Sequence, residues 1–204
     1  HPNNRDRHRV WAQEIALLCH ILYPQDARTK AYVPAIFTTL GNYPGLKQLG
    51  VTSDAGILDA AFNAYQAEYL TVPGDKSMKF FAPQKKIYDR LTDGKFSFSA
   101  PTSLGKSFIM RTFISNQIKS GVLANFAIIV PSKALINETR SKLIADLGED
   151  LERHNYRIVS AAGDIVLEGD HNFIFVLTPE RLLYLLIGKP AIEFEYVFFD
   201  ESHK

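Results

Sequence analysis

Phosphate chemistry is what the residues at positions 100–107 are built to do. The string Ala100-Pro101-Thr102-Ser103-Leu104-Gly105-Lys106-Ser107 places a glycine, a lysine and a hydroxyl where an extended run gives way to a helical pattern. In that setting backbone N–H groups curl around phosphate oxygens at the positive end of a helix. Thr102, Ser103, Leu104 and Gly105 would supply that cradle, and Gly105 lets the backbone come close. Lys106 reaches the β- and γ-phosphates, and the Ser107 hydroxyl binds magnesium. The general pattern opens on a glycine, and Ala100 stands there instead. Further on, Tyr196-Val197-Phe198-Phe199-Asp200-Glu201-Ser202-His203 is an apolar run ending in two carboxylates. A strand there puts Asp200 at the carboxyl edge of a sheet, where it can hold magnesium directly or through water. Glu201 beside it can orient and deprotonate an attacking water. Phosphoryl transfer needs both roles. Each segment has a plainer reading, as a Ser/Gly loop that precedes Lys-Ser or as an acidic strand end facing solvent. The two together point to an NTPase.

Those residues need elements to hold them. From about residue 78, β-branched and aromatic runs alternate with helical patterns. Strands are predicted over 95–100, 126–130, 157–160, 173–177 and 196–200, and helices over 84–92, 106–119, 133–154 and 179–187. Ala127-Ile128-Ile129-Val130 and Phe173-Ile174-Phe175-Val176-Leu177 are apolar throughout, as strands buried on both faces of a parallel sheet must be. Strand–helix alternation predicts a doubly wound α/β domain, whose ligands bind beyond the carboxyl ends of the strands. Before it lies a small helical segment. Apolar residues at spacings of three and four predict helices over 5–23 and 30–40, and a third starting near Asp54 as N-cap. Gly41-Asn42-Tyr43-Pro44-Gly45 reads as a break, and residues 71–75 as a turn or linker. The division expected is 1–77 for the helical segment and 78–204 for the nucleotide-binding domain.

Composition sets wide bounds. Over 204 residues, 46% are hydrophobic and 22% charged, as in an ordinary globular protein. The net charge of +1 neither favours nor excludes nucleic acid, because a basic groove can hide in a balanced total. The single cysteine, Cys19, allows no disulfide within the chain and favours a reducing, cytoplasmic setting, with a small buried side chain. No apolar run approaches the ~20 residues that span a membrane. The chain opens on His1 and stops at Lys204 inside a motif, which reads as a segment of something longer. The histidines lack metal-ligand spacing. Tyr32, Tyr43, Tyr65 and Tyr69 could stack on bases. Packing within the helical segment is favoured for them, because they recur with its apolar pattern.

The order of these motifs resembles superfamily 2 helicases of the DExH type. Asp200-Glu201-Ser202-His203 matches the DExH box, and the Ala-Pro-Thr-Ser opening of the phosphate loop looks like the Ski-like branch, so Ala100 fits that family. Phe81-Ala82-Pro83-Gln84 is similar to the Q element, in which Gln84 would read the adenine edge. Ile129-Val130-Pro131-Ser132-Lys133 looks like motif Ia, Ala162-Gly163-Asp164 like motif Ib, and Thr178-Pro179-Glu180-Arg181 like the nucleic-acid motif that follows. The resemblance covers about residues 78–204 and implies a RecA-like sheet of the P-loop NTPase kind. ATP and Mg²⁺ are the implied cofactors. Glu201, Lys106 and Asp200 would be catalytic, Ser107 and Asp200 would hold the metal, and His203 would couple the nucleotide site to the other lobe. Ser132, Lys133, Gly163, Thr178 and Arg181 would contact a strand's phosphates, a role that carries no sequence information. Ser132 and Thr178 also precede helical patterns and can cap them.

The resemblance implies ATP-driven movement on nucleic acid, with DNA favoured over RNA. Its implied partner is a second RecA-like domain bearing an arginine finger. That finger contributes ~10³–10⁵ in rate, so the segment alone is expected to be inactive. A nuclease or effector partner and a role in antiviral defence of the bacterial Hachiman type are further implications. The competing readings are the translocase subunit of a restriction system and a non-catalytic nucleotide-gated scaffold.

Overall fold

The computed structural model describes residues 4–50, 57–98, 104–161 and 171–200. By packing, the chain forms two compact units, His1–Ser97 and Phe98–Lys204.

The first unit is built from α1 (Arg5–Leu22), α2 (Ala27–Thr39), α3 (Tyr43–Leu49), α4 (Ile57–Tyr69), a hairpin of β1 (Thr71–Val72) and β2 (Asp75–Lys79), and α5 (Ala82–Tyr88). Local chemistry sets the boundaries. Pro24 follows the end of α1. Asp26 caps α2, its carboxylate accepting from the Arg28 N–H at 2.8 Å and the Thr29 N–H at 3.3 Å. Asn42 caps α3 by accepting from the Gly45 N–H at 2.9 Å, and Gly50 closes α3 in the left-handed region. The segment expected to be a break is therefore a helix start. The turn predicted at 71–75 joins a hairpin, with Pro73-Gly74 at its tip and Gly74 at φ 83°. Asp54 lies outside the described residues.

Helix α1 corrects an expectation. It packs on α2 through Ala16, against Val33 and Phe37, while Val10, Trp11, Ile15, Leu18, Ile21 and Leu22 are all more than half exposed. Cys19 is half-buried. Tyr32 and Tyr65 are also more than half exposed, against the packing reading, whereas Tyr69 is half exposed and packs against α5 through Lys85 and Asp89. Periodicity identifies an apolar face but not what covers it.

The second unit holds a four-stranded sheet. Its elements are α6 (Lys106–Lys119), β3 (Phe126–Ile129), α7 (Lys133–Leu147), α8 (Asp150–Arg153), β4 (Tyr156–Val159), β5 (Asn172–Leu177), α9 (Pro179–Gly188) and β6 (Tyr196–Phe199). The strand order is β4-β5-β3-β6 and every pairing is parallel. The apolar runs divide between two faces, as the period of two requires. Phe126, Ile128, Ile174 and Val176 meet Ile114 and Ile118 of α6 and Leu143 and Leu147 of α7. Ala127, Ile129, Phe175 and Leu177 meet Leu185 of α9. The crossovers β3–α7–β4 and β5–α9–β6 run in opposite directions along the sheet, and their helices lie on opposite faces, as right-handed connections demand. This is the doubly wound α/β architecture expected of a RecA-like domain.

Two boundaries differ from expectation. Residues 95–98 form no strand, and 99–103 lie outside the described residues. The helix predicted over 133–154 breaks at Gly148, whose φ of 46° suits a residue without Cβ, and resumes as α8. Among the described residues no helix is long and apolar enough to cross a membrane.

Asn125 fixes the amino edge of this sheet, a role its sequence did not signal. Its Oδ1 accepts from the Phe173 N–H at 2.9 Å, its Nδ2 donates to the Glu193 carbonyl at 3.1 Å, and its own N–H donates to the Glu195 carboxylate. One side chain thus ties β3 to the starts of β5 and β6. Asn125→Ala leaves the half-buried Phe173 N–H unpaired and is expected to cost about 1–3 kcal/mol. That is a fall in melting temperature of roughly 2–4 °C per kcal/mol. Thermal unfolding followed by circular dichroism measures it, and an unchanged midpoint would remove Asn125 from this role.

Candidate nucleotide and nucleic-acid site

The site begins at the carboxyl ends of three strands in register. Ile129 pairs with Leu177 on one side and Phe199 on the other. The chain leaving β3, β5 and β6 therefore starts from one edge, and Ser132, Thr178 and Asp200 come off it. The Asp200 N–H donates to the Ile129 carbonyl at 2.9 Å, which carries the ladder one residue past β6 and fixes the carboxylate's backbone.

Helix α6 brings the other half. Gly105 is its N-cap at φ 72°, in the left-handed region where a Cβ is strained. Lys106 and Ser107 open its first turn. The Ser107 hydroxyl donates to the Asp200 carboxylate at 2.9 Å, across 93 residues of sequence. The structure thus brings together the two residues read as metal ligands. The pair fits Mg²⁺, which usually takes only one or two carboxylates and completes its shell with water and substrate phosphates. No group of three or more His, Cys, Asp or Glu side chains able to hold a metal occurs among the described residues. Thr102, Ser103, Gly163, Glu201 and His203 lie outside the described residues.

Two helix N-termini follow from the same edge. Ser132 caps α7, its hydroxyl accepting from the Leu135 N–H at 3.4 Å, and Lys133 begins the helix. Thr178 is buried and caps α9 by accepting from the Arg181 N–H at 3.4 Å. One Arg181 guanidinium nitrogen donates to the Ser160 carbonyl just beyond β4, tying α9 to the far strand. Capping is thus an observed role for Ser132 and Thr178, and it leaves the helix ends positioned to meet anions.

Glu180 was not singled out from sequence, although it sits inside the Thr178-Pro179-Glu180-Arg181 string. It lies in the first turn of α9, and a hydrogen bond with the Thr178 side chain holds its carboxyl below the usual range, helped by a backbone N–H. A carboxylate there satisfies the positive helix end and opposes an incoming phosphate.

Gln84 lies in the first unit, in α5. It is 7% exposed, and its Oε1 accepts from the Phe81 N–H at 2.8 Å, closing the helix start. Lys85 pairs with Asp89 and lies 4.5 Å over the Tyr69 ring, while the Tyr69 hydroxyl donates to Asp89 at 2.7 Å. The side chains around α5 are thus pinned to α4.

The family model for DEAD/DEAH box helicases matches residues 81–204. The chain belongs to that family. As a DEAD/DEAH box helicase domain it is an ATP-binding domain of a nucleic-acid helicase type. Among its relatives, an uncharacterized helicase of Caenorhabditis elegans is 29% identical over 143 residues, 63% of this chain and 8% of that protein. Anti-bacteriophage protein B of Escherichia coli (strain K12) is 30% identical over 116 residues, 56% of this chain and 14% of that protein. The helicase domain thus spans a small fraction of the length of these curated relatives. No solved structure matches it significantly.

If the N-terminus of α9 receives strand phosphates, Glu180 weakens that contact. Glu180→Gln should tighten binding of a labelled single strand several-fold at low salt, and the gain should fade as ionic strength rises. Titration by fluorescence anisotropy at two salt concentrations reads this out. Equal or weaker binding by the variant would turn the α9 end away from the nucleic acid.

Proposed function

We propose that the protein is an ATP-dependent helicase or translocase of the Ski-like DExH branch, and that this chain supplies part of its first motor domain. The observation that carries the reading is the Ser107–Asp200 hydrogen bond, which unites the phosphate-loop hydroxyl and the acidic-motif carboxylate at one sheet edge. Lys106 would neutralise the β- and γ-phosphates, and the N–H groups of Thr102, Ser103, Leu104 and Gly105 would cradle them. Ser107 and Asp200 would hold Mg²⁺, which supplies charge neutralisation at the transferring phosphoryl group. Glu201 would orient and deprotonate the attacking water. Gln84 would meet the adenine edge. Ser132, Lys133, Gly163, Thr178 and Arg181 would grip the phosphates of one strand, DNA in preference to RNA. His203 would couple hydrolysis to closure against a second RecA-like domain carrying the arginine finger.

The relative named as an anti-bacteriophage protein supports a role in antiviral defence. A defence helicase of the Hachiman type, with a nuclease or effector partner, is the finer form of the same proposal. The family membership supports ATP turnover coupled to nucleic acid.

Steady-state ATP hydrolysis by the full-length protein is the test. It is run without polymer, and with single-stranded DNA, duplex DNA and single-stranded RNA, with Lys106→Ala and Glu201→Gln as controls. Stimulation by one polymer that both variants abolish is the expected result, and the polymer names the track. Indifference to every polymer would move the protein to a nucleotide-gated scaffold. The segment on its own, without an arginine finger worth ~10³–10⁵ in rate, or roughly 4–7 kcal/mol, should show no measurable turnover in the same assay. Brisk hydrolysis by the segment would mean that its own residues complete the site.

A further inference from the structure

We propose that Gly41, at the corner between α2 and α3, is a positioning residue for adenine recognition, because it seats the first turn of the helix that carries Gln84. The proposal rests on the reading that Gln84 meets the adenine edge.

The corner is held on its own side. The Gly41 N–H donates to the Thr38 carbonyl and the Asn42 N–H to the Phe37 carbonyl, each at 2.9 Å. Asn42 is 7% exposed and spends its Oδ1 on the Gly45 N–H at 2.9 Å. A Cβ at Gly45 would stand 2.6 Å from the Phe37 ring and 2.9 Å from the Asn42 amide, so the corner has no room to draw back. Gly41 itself has φ +67°, and a Cβ added there would lie 3.1 Å from the Ala82 Cβ. That is tighter than ordinary carbon–carbon contact, and one side would have to move by a few tenths of an ångström.

With the corner held, α5 is the side that would give. Ala82 is its first residue, and Gln84 stands two positions on. The Phe81 N–H to Gln84 Oε1 bond closes this turn, so a displacement at Ala82 carries the Gln84 amide with it. Around the turn the packing is otherwise tight. Phe80 is fully buried, and its N–H donates to the Leu70 carbonyl at 2.7 Å. The Lys47 ammonium donates to the Ser77 carbonyl at 2.9 Å, tying α3 to β2. The helical leader, whose sequence carries no helicase motif, is thus the seat on which base recognition would be set. A disturbance at this corner should therefore change nucleotide choice rather than chemistry.

The test uses the full-length protein with a saturating stimulatory polymer. Steady-state kinetics are measured with ATP and with GTP. Gln84→Ala should collapse the preference for ATP. Gly41→Ala should raise KM for ATP about tenfold and leave kcat, and KM for GTP, within about twofold. Ala82→Gly, which empties the contact without backbone strain, should raise KM for ATP by roughly threefold on the same pattern. The double variant Gly41→Ala with Ala82→Gly moves the methyl across the contact. It should recover most of the preference, while a lowered melting temperature still registers the strain at residue 41. If Gln84→Ala alters the preference and neither Gly41→Ala nor Ala82→Gly does, the corner is plain packing and the proposal fails. Should Gly41→Ala not fold, Ala82→Gly alone decides. If Gln84→Ala itself leaves the preference intact, the adenine reading falls first.

Discussion

The hydrogen bond from the Ser107 hydroxyl to the Asp200 carboxylate joins two segments that the chain keeps 93 residues apart. Neither end can drift. Ser107 stands in the first turn of α6, and α6 is fixed by Met110, Ile114 and Ile118 in the core on one face of the sheet. Asp200 follows β6, and its N–H is tied to the Ile129 carbonyl. Both anchors lead back to β3, the strand between β5 and β6. The polar pair is a consequence of apolar packing: burying the two faces of β3 decides where the hydroxyl and the carboxylate meet. Chemistry that needs a metal ligand from each segment depends on that packing first.

The same strand explains why the nucleic-acid candidates gather near the nucleotide candidates. Parallel strands in register end together, so their following loops share an edge. Ser132 follows β3 and Thr178 follows β5, each capping the helix it precedes. Helix caps and phosphate contacts use the same positive end of a helix, and Glu180 adds an internal competitor for it. Each unit holds candidate residues of its own. Gln84 is built into the first, where α5 leans on the α2–α3 corner and on Tyr69 of α4 through Lys85 and Asp89. The phosphate and metal candidates Lys106, Ser107 and Asp200 are built into the second.

Some of this was legible from residue types alone. Uninterrupted apolar runs at 126–130 and 173–177 suit strands buried on both faces, and Lys106 to Lys119 reads as a helix from its first residue to its last. Other features were invisible for physical reasons. Thr71 to Asp75 looked like a linker because a two-residue strand is too short to show alternation, yet Pro73-Gly74 turns a hairpin. The helix that broke at Gly148 needed a left-handed residue, and sequence does not say which glycine will use that freedom. Asn125 looks like a loop residue, and its side chain and N–H reach Phe173, Glu193 and Glu195, which only the fold brings near.

The sequence by itself determined the chemistry available and the kind of fold. A lysine and serine after a glycine, a carboxylate pair after an apolar strand, and strand–helix alternation follow from covalent order and local periodicity, which any single chain displays. What only the tertiary structure decided is which of these residues touch. Distances between segments depend on strand order, on the hand of each crossover and on which faces bury each other. Thus Ser107 finds Asp200 and Gly41 finds Ala82, while Trp11 and Leu18 of α1 stay more than half exposed.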